Sequence, residues 1–123
     1  MSGNWKVPDE LMARCMGRIE RVQRVLDLFV AQVEDDLARL ESELQAGNPQ
    51  EMAKIAHRIK GASANAAVES IRLDAETIEL LATANQLEEL QQCMDRLRTG
   101  VRQIADSAAH LHWQTVTSPA DGV

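Results

Sequence analysis

Apolar residues recur every three or four positions along most of the chain, from Leu11 onwards. This spacing places them on one face of an α-helix and does not match the two-residue alternation of a half-buried strand. The first apolar stripe comprises Leu11, Cys15, Ile19, Val22, Leu26, Phe29, Val33, Leu37, Leu40 and Leu44. Gly17 lies within this stripe and leaves open whether the segment forms one helix or two. The pattern predicts an all-α protein.

Helix-terminating residues divide the rest of the chain. Gly47, Asn48 and Pro49 combine a C-terminal Gly, an N-cap residue and a Pro at the first helical position, which predicts a tight helical hairpin. The helix that begins at Pro49 is predicted to continue to about Val68. Two more helices follow, and Asn85 is expected to be the N-cap of the last one.

Four antiparallel helices joined by short loops, each with an apolar stripe, predict an up-and-down four-helix bundle with an additional N-terminal helical segment. The chain of 123 residues has the length of one domain. We expect an N-terminal tail over residues 1–7, the bundle over residues 8–112 and a flexible C-terminal tail over residues 113–123.

Composition and charge narrow the functional class. The chain has 13 Lys and Arg against 19 Asp and Glu, and a net charge of -6. This acidity disfavours nucleic-acid binding, which depends on clustered cations. No segment approaches the ~18 apolar residues of a membrane span, and the N-terminus lacks the apolar core of a signal peptide. Cys15 and Cys93 are expected to be reduced core thiols. We expect a cytoplasmic monomer with protein partners and no contact with a membrane.

His57 stands out because its helix turns it away from the core. The apolar side chains around it centre on Ile59, and His57 falls roughly 150° from that centre, so it is predicted to face solvent. Gly61 follows one turn later, and a Gly within a helix is less stable than Ala. We therefore expect Gly61 to provide close access to the imidazole. No acidic residue lies three or four positions from His57, so no acid is expected beside the ring.

Residues 56–65, with the sequence Ala-His-Arg-Ile-Lys-Gly-Ala-Ser-Ala-Asn, resemble the motif of the histidine-containing phosphotransfer (HPt) domain of multistep two-component phosphorelays. Ile78-Glu79 is similar to the Leu-Glu element that follows the motif in that family. The resemblance covers residues 25–100. It departs at Ala67, where the family usually has Gly. The positions that match the motif are Ala56, His57, Ile59 (Leu in the family), Lys60, Gly61, Ser63 and Asn65.

The resemblance implies that His57 accepts a phosphoryl group on Nε2 from the aspartyl phosphate of one receiver domain and passes it to an aspartate of another. The implied partners are response-regulator receiver domains, a hybrid sensor kinase, or both. The chain is then a phosphocarrier with no cofactor of its own, and the Mg²⁺ belongs to the partner receiver domain. No Gly-rich nucleotide loop is present, so we expect no ATP-dependent kinase activity.

Several residues are expected to assist His57. Lys60 is predicted to pair with the phosphoryl group and Gly61 to allow access. The charged residues Asp35 and Asp36 are expected on a solvated face of the first long helix. The predicted docking face comprises Ala53, Lys54, Arg58 and Ala64, together with Glu34, Ala38 and Glu41 across the hairpin.

Two other functions are alternatives to phosphotransfer. The first is a helical adaptor that docks receiver or kinase domains through the same face without being phosphorylated. The second is a metal-binding bundle, which requires inward Glu-x-x-His pairs. Because Lys54 occupies the position three residues before His57, no metal site is expected.

Overall fold

A computed structural model describes residues 5–116 of the chain, with side chains as far as residue 111. Within this range the secondary structure is helical, which confirms the all-α prediction. The helices are α1 (Asp9–Arg14), α2 (Ile19–Ala46), α3 (Pro49–Asn65), α4 (Glu69–Thr83) and α5 (Leu87–Val116).

The four longer helices form a closed four-helix bundle. α2 and α4 each pack against both α3 and α5. The connections at residues 47–48, 66–68 and 84–86 are too short to let consecutive helices run in the same direction. The predicted up-and-down topology is therefore confirmed. None of the helices described over residues 5–116 combines the length and the apolar character needed to cross a membrane.

The core of the bundle is aliphatic, and Phe29 is its aromatic member at 4% exposure. Cys15 and Cys93 are free and buried, as predicted. Burial is the main factor that raises the pKa of the Cys93 thiol, which therefore stays protonated at neutral pH. The largest fully buried side chains are Leu11, Leu26, Leu40, Met52, Ile59, Ile71, Ile78, Leu90, Met94, Leu97, Ile104 and Val22.

The additional N-terminal segment is the short helix α1, which a turn at Met16 and Gly17 separates from α2. Leu11 of α1 is buried in the core. Arg14 Nη1 donates hydrogen bonds to the carbonyl oxygens of Ala64 (3.2 Å) and Asn65 (2.9 Å), at the C-terminal end of α3. α1 therefore holds the end of α3, the helix that carries His57.

The two predicted tails overlap structured segments. Residues 5–8 have no regular secondary structure, but Trp5 and Val7 pack against the core, and the carbonyl oxygen of Trp5 accepts a hydrogen bond of 3.0 Å from Ser107 Oγ. α5 continues to Val116, into the range predicted as a C-terminal tail. Residues 1–4 and 117–123 lie outside the described residues.

Each of the first four helices ends in a Schellman motif, in which a residue with left-handed backbone follows the helix. At the end of α3, the Ala67 N–H donates to the Ala64 carbonyl (3.2 Å) and the Val68 N–H donates to the Ser63 carbonyl (2.9 Å). The left-handed residues are Met16 (φ 55°), Gly47 (φ 74°), Ala67 (φ 59°) and Asn85 (φ 58°).

Two sequence-based boundaries were wrong because of these motifs. α3 ends at Asn65, before the predicted Val68. Asn85 terminates α4 and does not act as the N-cap of α5, which begins at Leu87. Asn tolerates left-handed backbone better than most residues, so it serves at a helix end as well as at a helix start.

Ala67 occupies the position where the HPt motif usually has Gly. Its φ of 59° lies in the left-handed region, where a Cβ costs roughly 1 kcal/mol or more. The surrounding hydrogen bonds keep this conformation although the residue is Ala. The departure from the motif thus affects the stability of the helix end and leaves its geometry intact.

We expect Ala67→Gly to raise the free energy of unfolding by about 0.5–1 kcal/mol, because it removes the strain of the Cβ. The greater conformational entropy of Gly in the unfolded chain offsets only part of this gain. The measurement is urea denaturation followed by circular dichroism. The matched control is Gly47→Ala at the equivalent position of α2, with a φ of 74°, which should lower the stability. A destabilised Ala67→Gly variant would contradict the strain argument.

Candidate functional site

His57 lies on the outer face of α3, as the helical periodicity predicts. Its side chain is 67% exposed. The opposite face of the helix contributes Met52, Ile55, Ala56, Ile59 and Ser63 to the buried part of the bundle. Ser63 Oγ donates a hydrogen bond of 2.7 Å to the Ile59 carbonyl, so this motif residue has a structural contact within α3.

A carboxylate from the neighbouring helix α4 lies beside the ring. Glu79 Oε2 is 3.3 Å from His57 Nδ1. The prediction that no acid lies beside the ring was wrong, because it considered only residues on α3. The signal was present in the sequence: Glu79 follows Ile78, which is fully buried, and the next residue of a helix stands at the edge of its buried face.

Lys60 binds the other oxygen of the same carboxylate. Its Nζ lies 3.1 Å from Glu79 Oε1, and both side chains are less than one-third exposed. The ammonium group holds the carboxylate in place and partly neutralises it. The contact of Lys60 with a phosphoryl group remains a prediction.

The surface next to His57 on α3 is formed by small residues. A Cβ placed on Gly61 would have no heavy atom within 4 Å, so the space beside this residue is open. Ala64 is exposed and Ala53 is partly exposed. Lys54 extends into solvent and pairs with Glu51 on its own helix at 3.1 Å. A flat partner surface can therefore approach α3 closely at Gly61.

Arg58 contacts the other neighbour of α3, the helix α2. Its Nη2 lies 2.6 Å from Asp36 Oδ1. Asp36 is only 2% exposed, so the expectation that it lies on a solvated face was wrong. Its position, three residues after Val33 and four before Leu40, falls within the apolar stripe of α2, and this spacing was the available signal.

The remaining predicted docking residues lie on a different side of α2. Glu34, Ala38 and Glu41 line a depression with Arg98 of α5. Arg98 Nη2 donates to Glu41 Oε2 at 2.5 Å. The structure therefore groups these three residues with α5, and it does not bring them to the α3 face that presents His57.

A shallow groove between α2 and α3 was not predicted from the sequence. We call it the α2/α3 groove. Leu28, which is 67% exposed, stands at its edge, and Ala62 connects it to Gly61. The lining residues are Val25, Leu28, Phe29, Gln32, Ala62, Asn65 and Ala66.

Metal ligands are not grouped in the part of the chain whose side chains are described. Over that part, no cluster of three or more His, Cys, Asp or Glu residues is arranged to hold a metal ion. The site therefore consists of an exposed imidazole, a carboxylate that contacts both His57 and Lys60, and a small-residue surface beside an apolar groove.

Comparison with known proteins gives a family match. A family model described as "Hpt domain" matches residues 24–107. The matched range contains all of α3 and α4 and most of α2 and α5, while α1 precedes it. No curated protein and no solved structure gives a significant match to the chain.

We expect Gly61→Ala to raise the free energy of unfolding by about 0.5–1 kcal/mol, because Ala is the better helix former and its Cβ meets no neighbour. Gly100→Ala in α5 is the matched control: its Cβ would lie 2.9 Å from Ile71 Cδ1, so it should gain less or lose stability. The measurement is urea denaturation. A destabilised Gly61→Ala variant would show that Gly61 serves the fold and not access.

Proposed function

The chain belongs to the Hpt domain family, and on this premise we propose that His57 is its phosphoryl acceptor. Members of this family carry out histidine phosphotransfer in phosphorelays and are phosphocarriers rather than kinases. In our proposal, His57 takes a phosphoryl group from the aspartyl phosphate of one receiver domain and passes it to an aspartate of another. The observation that carries the proposal is the exposed imidazole with its Nδ1 3.3 Å from Glu79.

Glu79 determines which ring nitrogen is the nucleophile. A carboxylate beside Nδ1 favours the tautomer that carries its hydrogen on Nδ1, because an ionised carboxylate only accepts hydrogen bonds. Nε2 then carries the free lone pair and points away from Glu79. Catalytic contacts of this kind are often long in the unbound protein and shorten when the partner binds.

The transfer step needs no further group from this chain. The Nε2 lone pair attacks phosphorus, an N–P bond forms, and the P–O bond to the donor aspartate breaks. The electron pair leaves with that oxygen and restores the donor carboxylate. His57 keeps its Nδ1 hydrogen, and the positive charge that develops on the ring is stabilised by Glu79, which Lys60 holds in place. The onward step reverses these bond changes with the second aspartate as nucleophile.

The partner supplies the rest of the electrostatic stabilisation. Phosphoryl transfer depends on positioning and on cations that balance the charge of the transferring group. We propose that a Mg²⁺ and a Lys of the receiver domain supply these cations. The bundle then contributes the nucleophile and a surface that positions it.

The α2/α3 groove and the open surface at Gly61 form the proposed docking surface for the receiver domain. Protein interfaces combine an apolar centre with a polar rim. The exposed side chain of Leu28 and the partly exposed Val25 supply the apolar part. Ala62 connects this part to Gly61, one turn from His57.

The deciding experiment is incubation with a receiver domain that is phosphorylated on its aspartate with a radioactive label. The wild type should become labelled, and the label should be labile in acid and stable in alkali, as expected for a phosphoramidate. His57→Gln should remain unlabelled. The matched control is His110→Gln, which removes another exposed histidine and should be labelled like the wild type.

Equal labelling of His57→Gln and the wild type would show that the acceptor is another residue. Stable binding of the receiver without any labelling of the wild type would instead support the adaptor function.

Glu79→Ala should lower the rate of phosphorylation about tenfold, because it removes the carboxylate 3.3 Å from the ring that stabilises the developing positive charge. It should also shift the His57 tautomer away from Nδ1–H, which ¹⁵N NMR of the imidazole detects and a purely structural role of Glu79 would not change. Glu76→Ala, which removes an acidic residue of α4 that contacts Arg72, is the control and should change neither quantity. An unchanged ¹⁵N spectrum in Glu79→Ala would contradict the positioning role.

A further inference from the structure

The two side chains of the ion pair between Asp36 and Arg58 differ strongly in their exposure to solvent. Its carboxylate side chain is 3% exposed, whereas its guanidinium side chain is 50% exposed. Solvent therefore reaches the positive guanidinium of the pair but hardly reaches the negative carboxylate. Arg58 directly follows His57 in the sequence, and it reaches toward α2 while Lys60 reaches toward α4. The exposed imidazole thus lies between two cations, each bound to a carboxylate of a neighbouring helix.

Stability does not explain why Asp36 is present. The position belongs to the apolar stripe of α2, between Val33 and Leu40, which are fully buried. Asp36 Oδ2 is buried and has no hydrogen-bond partner among the described residues. A buried carboxylate oxygen without a hydrogen-bond partner costs free energy that an apolar side chain at this position would not. Leu at this position would continue the stripe.

The contact with Asp36 leaves most of the Arg58 guanidinium available. An Arg side chain has five N–H donors in a rigid planar arrangement. The recorded contact uses Nη2. Within the described part of the chain, the other nitrogens of Arg58 have no hydrogen-bond or ion-pair partner. Asp36 therefore restricts the orientation of the guanidinium without using up its binding capacity.

We propose that Asp36 holds Arg58 as a docking residue for the acidic surface around the partner's phosphorylation site. This inference rests on the proposed function, because a domain that carries an aspartyl phosphate or an acceptor aspartate presents negative charge there. The chain has a net charge of -6, which repels an acidic partner at long range. A cation fixed beside His57 provides local attraction at the point of transfer and sets the orientation of the encounter.

The experiment measures kcat and KM of transfer from a phosphorylated receiver domain to Arg58→Gln at low and high salt. We expect KM to rise about fivefold to tenfold at low salt with kcat unchanged, because rim charges act mainly on association. The difference should shrink at high salt, where exposed charges are screened.

Variants of Asp36 test whether its contact with Arg58 matters for docking. Asp36→Asn and Asp36→Leu remove the carboxylate that restricts Arg58 but leave Arg58 in place. Each should therefore raise KM by a smaller factor than Arg58→Gln. In the double variant Asp36→Asn/Arg58→Gln, KM should equal that of Arg58→Gln alone, because the two residues act through one contact. Using both substitutions at Asp36 keeps the test valid if one of them folds poorly, which thermal denaturation reports.

The chain offers a matched control pair. Arg96 Nε lies 3.1 Å from Asp74 Oδ1 across the α4–α5 boundary, and this pair also combines an exposed guanidinium with a mostly buried carboxylate. Arg96→Gln and Asp74→Asn should leave KM and its salt dependence unchanged.

A small phosphoramidate donor separates failure of this inference from failure of the proposed function. It needs no docking surface, so labelling of Arg58→Gln by this donor would show that His57 of the variant remains accessible and reactive. If the wild type accepts phosphoryl groups from the receiver and Arg58→Gln has the same KM and salt dependence, the docking role of Arg58 is refuted and the proposed function stands. If the receiver does not label the wild type, the proposed function fails and this inference with it.

Discussion

The carboxylate of Glu79, which contacts both His57 and Lys60, is the interaction on which the site depends. One oxygen lies 3.3 Å from the His57 ring and the other lies 3.1 Å from the Lys60 ammonium. This contact joins α3 to α4 at the point where α3 presents the proposed nucleophile. It orients an otherwise exposed side chain without burying it, so the ring stays accessible and still has a defined direction. The proposed transfer between two receiver domains requires both properties.

The bundle supports this arrangement with backbone geometry at its helix ends. α3 ends in a Schellman motif at Ala67, and Arg14 of α1 binds the last carbonyl oxygens of the same helix. The conformation at Ala67 is kept although the residue has a Cβ, since the motif's two backbone hydrogen bonds and the burial of Val68 hold the chain there. The position of α3 is therefore determined at its end as well as along its buried face.

Charge on the α3 face is organised by its neighbours. Asp36 of α2 and Glu79 of α4 each bind a cation of α3, one on either side of His57. Because Asp36 is buried and Arg58 is exposed, the α2 side presents positive charge in a chain that is acidic overall. The apolar α2/α3 groove lies on this same side. Recognition on the proposed face thus combines an apolar surface with an oriented cation.

The sequence by itself determined that the bundle has four long helices, that they run up and down, and that His57 is exposed. These follow from the angular period of one helix, which needs no knowledge of its neighbours. The HPt motif also identified Lys60 and Gly61 as residues of interest. The tertiary structure alone decided which side chains of α2 and α4 meet α3, namely Asp36 at Arg58 and Glu79 at His57 and Lys60. The sequence-based docking face included Glu34, Ala38 and Glu41, which the structure places toward α5. Periodicity tells which residues of a helix are buried. The packing of the helices decides which neighbouring side chain each residue at the edge of the buried face contacts. The contacts of His57 and Arg58 depend on this packing.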